Sequence, residues 1–420
     1  MNSKSRTEHV VVVGAGIIGI ACAHYLSRAG LRVTVVDKGK VGGACSHANC
    51  GYICPSHVLP LTEPGAIRVA LGSLVTPNAP FRVMPQCSPA FWNWMWQFAR
   101  RCTHRQMLAS GAHLQPLLVS SMAEYRRLLD EDDLDCEWRE SGLLYVFKSK
   151  RGFEEFEKTD RFLRDHFGVA ARRIDGSDLP QFDPTLKSGL AGAFHYQDDA
   201  FLRPESLASA WSKRLMSRGA KFRENCELKG MAKSNGRMLR VRTSAGEIAA
   251  DGFVFATGAW SPMWSKELGC PIPIQPGKGY SVTMARPDPC PLYPMLFPER
   301  KVGVTPFSNG YRLGSMMEFV GYDESIPERR IDLLRRSAGD YLVAPFTDDV
   351  QDTWYGFRPM TWDSLPIIGR VPGLANAFLA TGHNMLGMSL ATATGKLIAE
   401  LLGGHPTHID AAPYTPQRFR

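Results

Sequence analysis

Three glycines near the start of the chain have the spacing of a phosphate-binding turn. Gly14, Gly16 and Gly19 form the pattern G-x-G-x-x-G, with Ile18 inside it, directly after four consecutive valines. In this pattern the first glycine permits a tight turn, the second lets the backbone approach a pyrophosphate, and the third lets a helix pack closely on a strand. The N-terminus of that helix offers free N–H groups to the phosphates, so the segment predicts a dinucleotide site.

An acidic residue marks the end of the next predicted strand. Asp37 lies 23 residues after Gly14 and closes the apolar run 32–36. A carboxylate there can accept hydrogen bonds from a ribose and disfavours a 2′-phosphate. Lys38 beside it is expected to line the same site. No second G-x-G-x-x-G lies between a predicted strand and a helix, so one bound dinucleotide is simpler than two.

The elements that position this site follow from the periodicity of apolar residues. The valines, the glycine turn, a helical run ending at Gly30 and a second strand form a β-α-β unit. Helices are predicted near 91–101, 112–131, 152–166, 204–218, 328–343 and 386–402. Strands are predicted near 143–147, 222–230, 237–243, 252–256, 272–284, 301–320 and 378–380.

The composition is that of an ordinary globular chain. Its 420 residues are 44% hydrophobic and 21% charged, with 39 Gly and 29 Pro, which excludes disordered, collagen-like and disulfide-scaffold proteins. The length predicts about two or three domains. The net charge of +8 is spread without a run of five or six like charges. This charge distribution argues against binding of nucleic acid and predicts only a mild preference for anionic ligands or anionic membrane surfaces.

The expected location is the cytoplasm. Ten Cys are too few for a chain of this length to depend on disulfide cross-links, which favours a reducing compartment. No stretch reaches ~18 uninterrupted apolar residues, so no membrane span is predicted. The aromatic segment 91–98, followed by Arg100 and Arg101, has two interpretations: a buried aromatic cluster, or peripheral contact with the inner face of a membrane.

Six segments in a fixed order carry a resemblance to a known family. They are GAGIIG with Asp37, Ser46-x-x-Asn49-x-Gly51, FATGAW at 255–260, KGYS at 278–281, GFRPMT at 356–361 with PIIG at 366–369, and GHNMLG at 382–387. With these the chain resembles the D-amino-acid oxidase superfamily of FAD-dependent oxidoreductases. Within it, the chain is most similar to the bacterial D-amino-acid dehydrogenases of the small-subunit type.

The resemblance implies a non-covalent, extended FAD and assigns parts of the sequence to it. The glycine turn would hold the pyrophosphate and Asp37 the adenosine ribose. A helix beginning at Leu386 would place N–H groups near the flavin O2, where reduced flavin carries negative charge. The other residues implied to bind FAD are Ser46, Asn49, Gly51, Leu228, Gly258, Gly382 and Gly387.

The resemblance also implies oxidation of an amine, with hydride transfer from the α carbon to flavin N5. Arg358 is expected to bind the substrate carboxylate, since a planar guanidinium matches it bidentately; the alternative is an internal ion pair with Asp363. Tyr280 is a second predicted donor. Tyr52 and His57 are further candidates for substrate binding. His383 is included in the catalytic set, although its glycine neighbours favour a role in flavin or turn geometry.

The fold implied is α/β, with a Rossmann-type FAD-binding domain interleaved with an α+β substrate domain on a mostly antiparallel sheet. The FAD-binding domain would comprise 1–85, 200–270 and 350–420. The substrate domain would comprise 86–199 and 271–349. The expected substrate is a D-amino acid or a cyclic or N-methylated imino acid of the hydroxyproline, proline or sarcosine type. Electrons would pass to a quinone or carrier protein, or to oxygen.

Other interpretations remain open at this point. Cys45 and Cys50 have a spacing from the glycine turn found in flavin disulfide reductases, where a dithiol exchanges electrons with flavin. Cys45, Cys50 and Cys54 could instead hold a metal or iron–sulfur cluster, although a fourth ligand is not evident and no metal is expected. His47 offers a site for covalent FAD. A non-catalytic flavin-binding module is a further alternative.

Overall fold

The computed structural model describes residues 8–68, 72, 79–84 and 86–419, and it begins with the predicted β-α-β unit. Strand β1 (His9–Val13) leads into helix α1 (Ile17–Arg28), which returns to strand β2 (Arg32–Val36). β1 and β2 pair in parallel from His9–Arg32 to Val13–Val36. The four valines of β1 are buried because the strand is central in its sheet and covered on both faces.

A six-stranded sheet is built around this unit. Its order is β19-β20-β13-β1-β2-β9. β13, β1, β2, β9 and β20 pair in parallel, whereas β19 runs antiparallel to β20 at the edge. The added strands are β9 (Lys221–Arg223), β13 (Gly252–Phe255), β19 (Ile367–Arg370) and β20 (Ala377–Thr381). This is the Rossmann-type layer that the sequence predicts.

A second, larger sheet is mostly antiparallel. Its order is β18-β14-β17-β16-β15-β5-β7-β6, and β4 pairs in parallel with the far end of β17. Its strands are β4 (Phe81–Val83), β5 (Leu143–Phe147), β6 (Arg172–Asp175), β7 (Gly192–Tyr196), β14 (Ile274–Met284), β15 (Met295–Phe297), β16 (Val302–Pro306), β17 (Tyr311–Phe319) and β18 (Val350–Thr361). The predicted α/β fold with a second, antiparallel sheet is thereby confirmed.

Two small sheets and the helices complete the described chain. One sheet contains β10 (Leu228–Ser234), β11 (Arg237–Thr243) and β12 (Gly246–Ala249), and the other pairs β3 (Tyr52–Ile53) with β8 (Ala200–Phe201). The helices after α1 are α2 (Pro89–Ala99), α3 (His104–Asp132), α4 (Lys150–Phe167), α5 (Leu179–Phe182), α6 (Pro204–Ser217), α7 (Ser265–Leu268), α8 (Glu328–Gly339) and α9 (Gly387–Gly403).

The sequence predicts no strand over 350–361, where the structure has β18. The proposed FAD-binding segment 350–420 begins with β18, but β18 pairs along its length with β14 of the larger sheet. The cause is the break in the chain direction at Ser364, after which β19 enters the other sheet. The proposed boundary at 85 lies outside the described residues, and the remaining boundaries stay predictions.

The C-terminal helix α9 joins the layers by close contact with α1 and α3. Gly395 faces α1 so closely that a Cβ atom there would lie 2.5 Å from the carbonyl oxygen of Ala21. On the side of α3, the hydroxyls of Ser121 and Thr392 are 2.7 Å apart. α9 is buried along most of its length. The beginning of α9, which faces the site described below, is therefore held by packing of the whole helix.

We expect Gly395→Ala to destabilise the fold. The added methyl group meets backbone rather than a flexible side chain, so the helices must separate, at a cost of about 1–3 kcal/mol in the free energy of unfolding. Urea denaturation of the purified protein measures this change. Gly65→Ala is the control, because a Cβ atom at Gly65 meets nothing within 4 Å. Equal stability of the two variants would contradict the packing described for α9.

Candidate functional site

A cavity of about 940 Å³ lies between the two large sheets. Its walls come from the glycine turn after β1, the loop 43–61, the first residues of β10, the turn 256–264, the inner face of β14, β17 and β18, and the turn 380–389. The cavity therefore extends from the carboxyl ends of the parallel strands, where dinucleotides bind in such folds, to the antiparallel sheet.

The glycine turn has the backbone geometry that a pyrophosphate requires. Gly14 has φ +109°, and a Cβ atom there would lie 2.3 Å from the carbonyl oxygen of Ala256. A Cβ atom on Gly19 would lie 1.8 Å from the carbonyl oxygen of Gly14, which shows how closely α1 packs on β1. Gly16 and Ile18 line the cavity between them. Gly14 and Gly19 thus admit no larger side chain, which keeps the turn tight and α1 close to β1.

Asp37 stands at the end of β2, at the edge of the cavity. Its Oδ2 accepts a hydrogen bond from the backbone N–H of Ala15 and its Oδ1 one from Gly39, both at 2.7 Å. A carboxylate has about four acceptor positions, so two remain for ribose hydroxyls. The Nζ of Lys38 lies 3.9 Å from the ring centre of Trp260 in the same wall. Leu228 at the start of β10 also lines this end.

The loop 43–51 is held in a fixed shape against the glycine turn. Ser46 Oγ accepts a hydrogen bond of 2.9 Å from the N–H of Ile17, in the first turn of α1. Asn49 accepts from the N–H of Gly51 through Oδ1 at 2.9 Å and donates through Nδ2 to the carbonyls of Cys45 and Ser46. Gly51 has φ +73°, where a Cβ atom would meet the carbonyl of Leu202 at 1.9 Å.

The turn before α9 presents the start of that helix to the cavity. Gly382 and Asn384 adopt positive φ, and Asn384 Oδ1 accepts from the N–H of Thr361 at 2.9 Å, which ties the turn to β18. Leu386 is the N-cap residue of α9, and Gly387 is its first residue. The first N–H groups of a helix have no partner within the helix and favour negative charge. Gly258, with φ +52°, lines the opposite wall.

His383 is buried beneath this turn. Its Nε2 lies 3.0 Å from the hydroxyl of Thr394 in α9. Burial lowers its pKa to about 3, so the imidazole is neutral at physiological pH. This position fits the geometric role expected for His383 more than that of a base.

Arg358 brings a positive charge to the cavity wall on β18. Its guanidinium lies over Gly279 of β14, where a Cβ atom would be 2.3 Å from Nη1. Nη1 donates a 2.7 Å hydrogen bond to the carbonyl of Met316. Within the described part of the chain no carboxylate forms an ion pair with it, because Asp363 instead accepts from Nε of Arg418 at 2.7 Å. The alternative of an Arg358–Asp363 pair is therefore wrong.

The backbone that receives Arg358 is irregular. β17 contains a bulge opposite the segment from Lys278 to Tyr280, and both Ser315 and Met316 have positive φ. The bulge turns the carbonyl of Met316 toward the guanidinium. Sequence reasoning missed Met316 because nothing in the sequence marks the bulge. Gly279, in contrast, is part of the KGYS segment noted in the sequence. Only the contact with Arg358 explains why this position is a glycine.

Tyr280 contributes to the cavity lining, but its hydroxyl has a partner away from Arg358. Successive side chains of a strand point to opposite faces, so Gly279 faces the Arg358 guanidinium while the ring of Tyr280 packs in a buried apolar cluster with Val282. The role of Tyr280 in substrate binding stays a prediction. The Tyr280 hydroxyl donates to Glu318 at 2.5 Å, and Glu318 pairs with buried Arg330. The hydroxyl is thus engaged in an interior network beneath α8.

Tyr52 and His57 both line the cavity, but their polar atoms have partners. The Tyr52 hydroxyl lies 2.9 Å from the carbonyls of Met295 and Val304. His57 Nε2 contacts the hydroxyl of Tyr145. Burial lowers the pKa of His57 to about 4, so it is neutral at physiological pH. Their rings can shape a substrate pocket, and their role in binding stays a prediction.

His47 and the cysteines do not support the alternative chemistries. His47 is half exposed, and its Nε2 lies 3.1 Å from Asp352 rather than at the cavity, so covalent attachment of FAD through His47 is wrong. Cys45 and Cys50 line the cavity as free thiols, and burial raises their pKa values, which disfavours reactive thiolates. In the described part of the chain, no three His, Cys, Asp or Glu side chains are arranged to hold a metal ion.

Known proteins match the chain over nearly its full length. A curated D-amino acid dehydrogenase from Granulibacter bethesdensis is 30% identical over 98% of this chain and 99% of its own. One from Neisseria meningitidis serogroup C is also 30% identical, over 98% and 99%. Among solved structures, glycine oxidase from Geobacillus kaustophilus has a TM-score of 0.80 at 23% identity, covering 98% of this chain and 99% of its own.

These similarities agree with the geometry of the cavity. The L-proline dehydrogenase from P. horikoshii shares the fold as well, with a TM-score of 0.72 at 21% identity over 99% and 98% of the two chains. Residues 9–401 match the DAO family, described as FAD dependent oxidoreductase. The match overturns the flavin disulfide reductase and the non-catalytic module, and it makes FAD the cofactor. The chain belongs to the DAO family of FAD-dependent oxidoreductases and is an amine oxidoreductase.

Proposed function

We propose that the protein oxidises D-amino acids and passes the electrons to a quinone or a carrier protein. The observation that carries this proposal is the Arg358 guanidinium in the cavity wall, with which no carboxylate among residues 8–68, 72, 79–84 and 86–419 forms an ion pair. A partly buried cation is stabilised when a ligand supplies the missing negative charge. The substrate carboxylate is that ligand, and the curated relatives named D-amino acid dehydrogenase support the substrate class.

The chain's own residues would bind and orient the substrate. FAD, when bound, supplies the acceptor for the two electrons and the hydrogen of the α C–H bond. Arg358 would receive the carboxylate bidentately, while Gly279 leaves room for the guanidinium and the Met316 carbonyl fixes its rotation. The start of α9 favours the negative charge that accompanies reduction. Hydrolysis of the imine by water then releases the keto acid and ammonia.

A cyclic or N-methylated imino acid is the second candidate for the substrate. Such a molecule also carries a carboxylate for Arg358 and an oxidisable C–N bond. Solved glycine oxidase and L-proline dehydrogenase share this fold. Their similarity supports the second candidate through the fold alone, whereas the 30% identity of the curated relatives supports the first.

The surface around α2 supports an acceptor that partitions into membranes. Phe91 and Trp94 are buried, but Trp92 and Trp96 are 52% and 58% exposed. The guanidinium of Arg100 lies 4.8 Å from the ring centre of Trp96. Trp92 also lines the FAD cavity, so an apolar branch of the cavity reaches this surface. No helix among residues 8–68, 72, 79–84 and 86–419 could cross a membrane.

Anaerobic titration of the FAD-loaded protein tests the proposed function. The panel comprises D-alanine, D-phenylalanine, L-alanine, sarcosine and both enantiomers of hydroxyproline. We expect the D-amino acids to bleach the flavin absorption near ~450 nm, while L-alanine does not. Air then separates oxidase from dehydrogenase behaviour, and a soluble quinone analogue should restore the colour faster than oxygen. A flavin that only imino acids bleach would support the second candidate, and one that no amine bleaches would exclude both.

Replacement of Arg358 should act on substrate binding. Arg358→Met removes the charge that binds the carboxylate, so kcat/KM should fall about 100-fold, equivalent to about 3 kcal/mol. Arg358→Lys keeps the charge without the bidentate geometry, and we expect an intermediate loss. Steady-state kinetics with D-alanine measure both variants, and the flavin spectrum verifies FAD loading. A loss confined to kcat, with an unchanged KM, would contradict carboxylate binding by Arg358.

The α2 surface should bind anionic membranes. Sedimentation with phosphatidylglycerol vesicles at low salt should recover the wild-type protein, and raised salt should release part of it. The double variant Trp92→Ser/Trp96→Ser should bind more weakly, because both rings insert at the interface. The exposed Leu239 on β11 provides the control variant Leu239→Ser. Wild-type protein that fails to sediment at low salt would overturn the membrane contact.

A further inference from the structure

Asp199 is a fully buried carboxylate beside the cavity wall. Ser56 donates to it twice, from the backbone N–H at 3.1 Å and from the hydroxyl at 2.6 Å. The thiol of Cys54 forms a further hydrogen bond with it. In the part of the chain that the structure describes, no Lys, Arg or His nitrogen lies within 4.0 Å of this carboxylate.

The other buried acids show how unusual this is. Five of them have a cationic partner: Glu124 with Lys396, Asp132 with Arg218, Asp160 with Arg164, Glu318 with Arg330, and Asp363 with Arg418. Asp183 alone resembles Asp199 among the described buried acids. It accepts from the N–H and hydroxyl of Thr185 at 3.0 and 2.6 Å and from the N–H of Leu292 at 2.9 Å. Neither carboxylate lines the cavity itself, but Ser56, the partner of Asp199, does, whereas Thr185, the partner of Asp183, does not.

The Ser56 hydroxyl connects Asp199 with the cavity. Ser56 and His57 line the cavity on the loop that also carries Tyr52 and Cys50, and the thiol of Cys50 lies near Arg358. A hydroxyl that donates to Asp199 can accept a second hydrogen bond from the cavity side. A proton can therefore move through Ser56 from the cavity to the carboxylate without any side chain changing position.

The surroundings of Asp199 adjust it to receive a proton. Burial raises its pKa to about 7, the hydrogen bonds from Ser56 and Cys54 lower it, and the neighbouring Asp198 raises it. The ionised carboxylate is thus a stronger base than an ordinary aspartate and remains partly ionised at neutral pH. His57, whose pKa burial lowers to about 4, is too weak a base for this task. The titratable groups facing this cluster are Cys54, His57, Tyr145, Tyr196 and Asp198.

We propose that Asp199 accepts, through Ser56, the proton that the substrate ammonium must lose before oxidation. This inference rests on the proposed amine oxidation. An N–H bond of the ammonium breaks and its proton passes, directly or over cavity water, to Ser56 Oγ, whose own proton forms the O–H bond on Asp199. The amine keeps its electron pair, so no oxidant is needed. The proton leaves Asp199 for solvent before the next turnover.

The test measures the rate of anaerobic flavin bleaching against pH, with D-alanine as the substrate. Asp199→Asn should slow bleaching at pH 7 by about 100-fold. At alkaline pH the solution itself deprotonates the substrate, and the rate should approach that of the wild type. Ser56→Ala, which breaks the connection and keeps the carboxylate, should show the same pH-dependent loss. Asp183→Asn removes a carboxylate of matched geometry outside the cavity and should leave the pH profile unchanged.

A second readout needs no turnover. The folded protein retains the proton of Asp199 up to about pH 7, whereas the ordinary pKa is 3.8, so the unfolded chain releases that proton earlier. Stability that depends on Asp199 therefore falls as the pH rises from 3.8 toward 7. In thermal melts, the stability of Asp199→Asn should fall less over this pH window than that of the wild type. The wild type should also show an infrared band of a protonated carboxyl group that titrates near pH 7, and Asp199→Asn should lack this band.

The outcomes separate this inference from the proposed function. If no amine reduces the wild-type protein, both the proposed amine oxidation and the proton transfer to Asp199 are wrong. If the wild type is reduced but Asp199→Asn matches it at pH 7, or is slowed equally at every pH, the proton transfer is wrong and the amine oxidation stands. Should Asp199→Asn fail to fold, Ser56→Ala decides in the same way. A wild-type infrared spectrum without the titrating band would also overturn the inference.

Discussion

The site depends on the partly buried guanidinium of Arg358, which forms no ion pair with a carboxylate in the part of the chain that the structure describes. Arg358 has a carbonyl and two thiols around it, and desolvation lowers its pKa below the ordinary value without removing its charge at neutral pH. Partial desolvation of such a charge costs free energy unless an anion accompanies it. The rest of the fold must offset this cost, and it does so through the packing of two sheets that meet at the cavity.

Close backbone contacts are the means by which the two sheets keep the cavity in shape. The glycine turn at Gly14, the loop at Gly51 and the contact of Gly395 with α1 each place a Cβ position within 2.5 Å of a carbonyl oxygen. A larger residue does not fit at these places. The close contacts therefore restrict how far the neighbouring elements can move relative to one another. Fixed elements can hold FAD and a charged side chain in a constant relation.

Several features of the fold and of the site could be predicted from short sequence motifs. The others depend on contacts between residues that are distant in the sequence. The glycine turn, Asp37 and the start of α9 can each be predicted from neighbouring residues in the sequence. The structure places all of them at one cavity. The direction of Tyr280 depends on the alternation along β14 and on its partner Glu318, 38 residues later. β18 was missed for a related reason, because it is formed by pairing with β14, which lies more than 60 residues earlier in the chain. The bulge at Met316 and the burial of Asp199 have no local signature at all.

The most direct measurement of the central claim is a crystal structure of the FAD-loaded protein with benzoate. Benzoate presents a carboxylate and has no oxidisable amine, so it can occupy the site without reaction. We expect its carboxylate to lie against the guanidinium of Arg358 in a bidentate arrangement, above Gly279 and beside the FAD. A benzoate bound elsewhere in the cavity, with Arg358 still bonded only to the Met316 carbonyl, would contradict it.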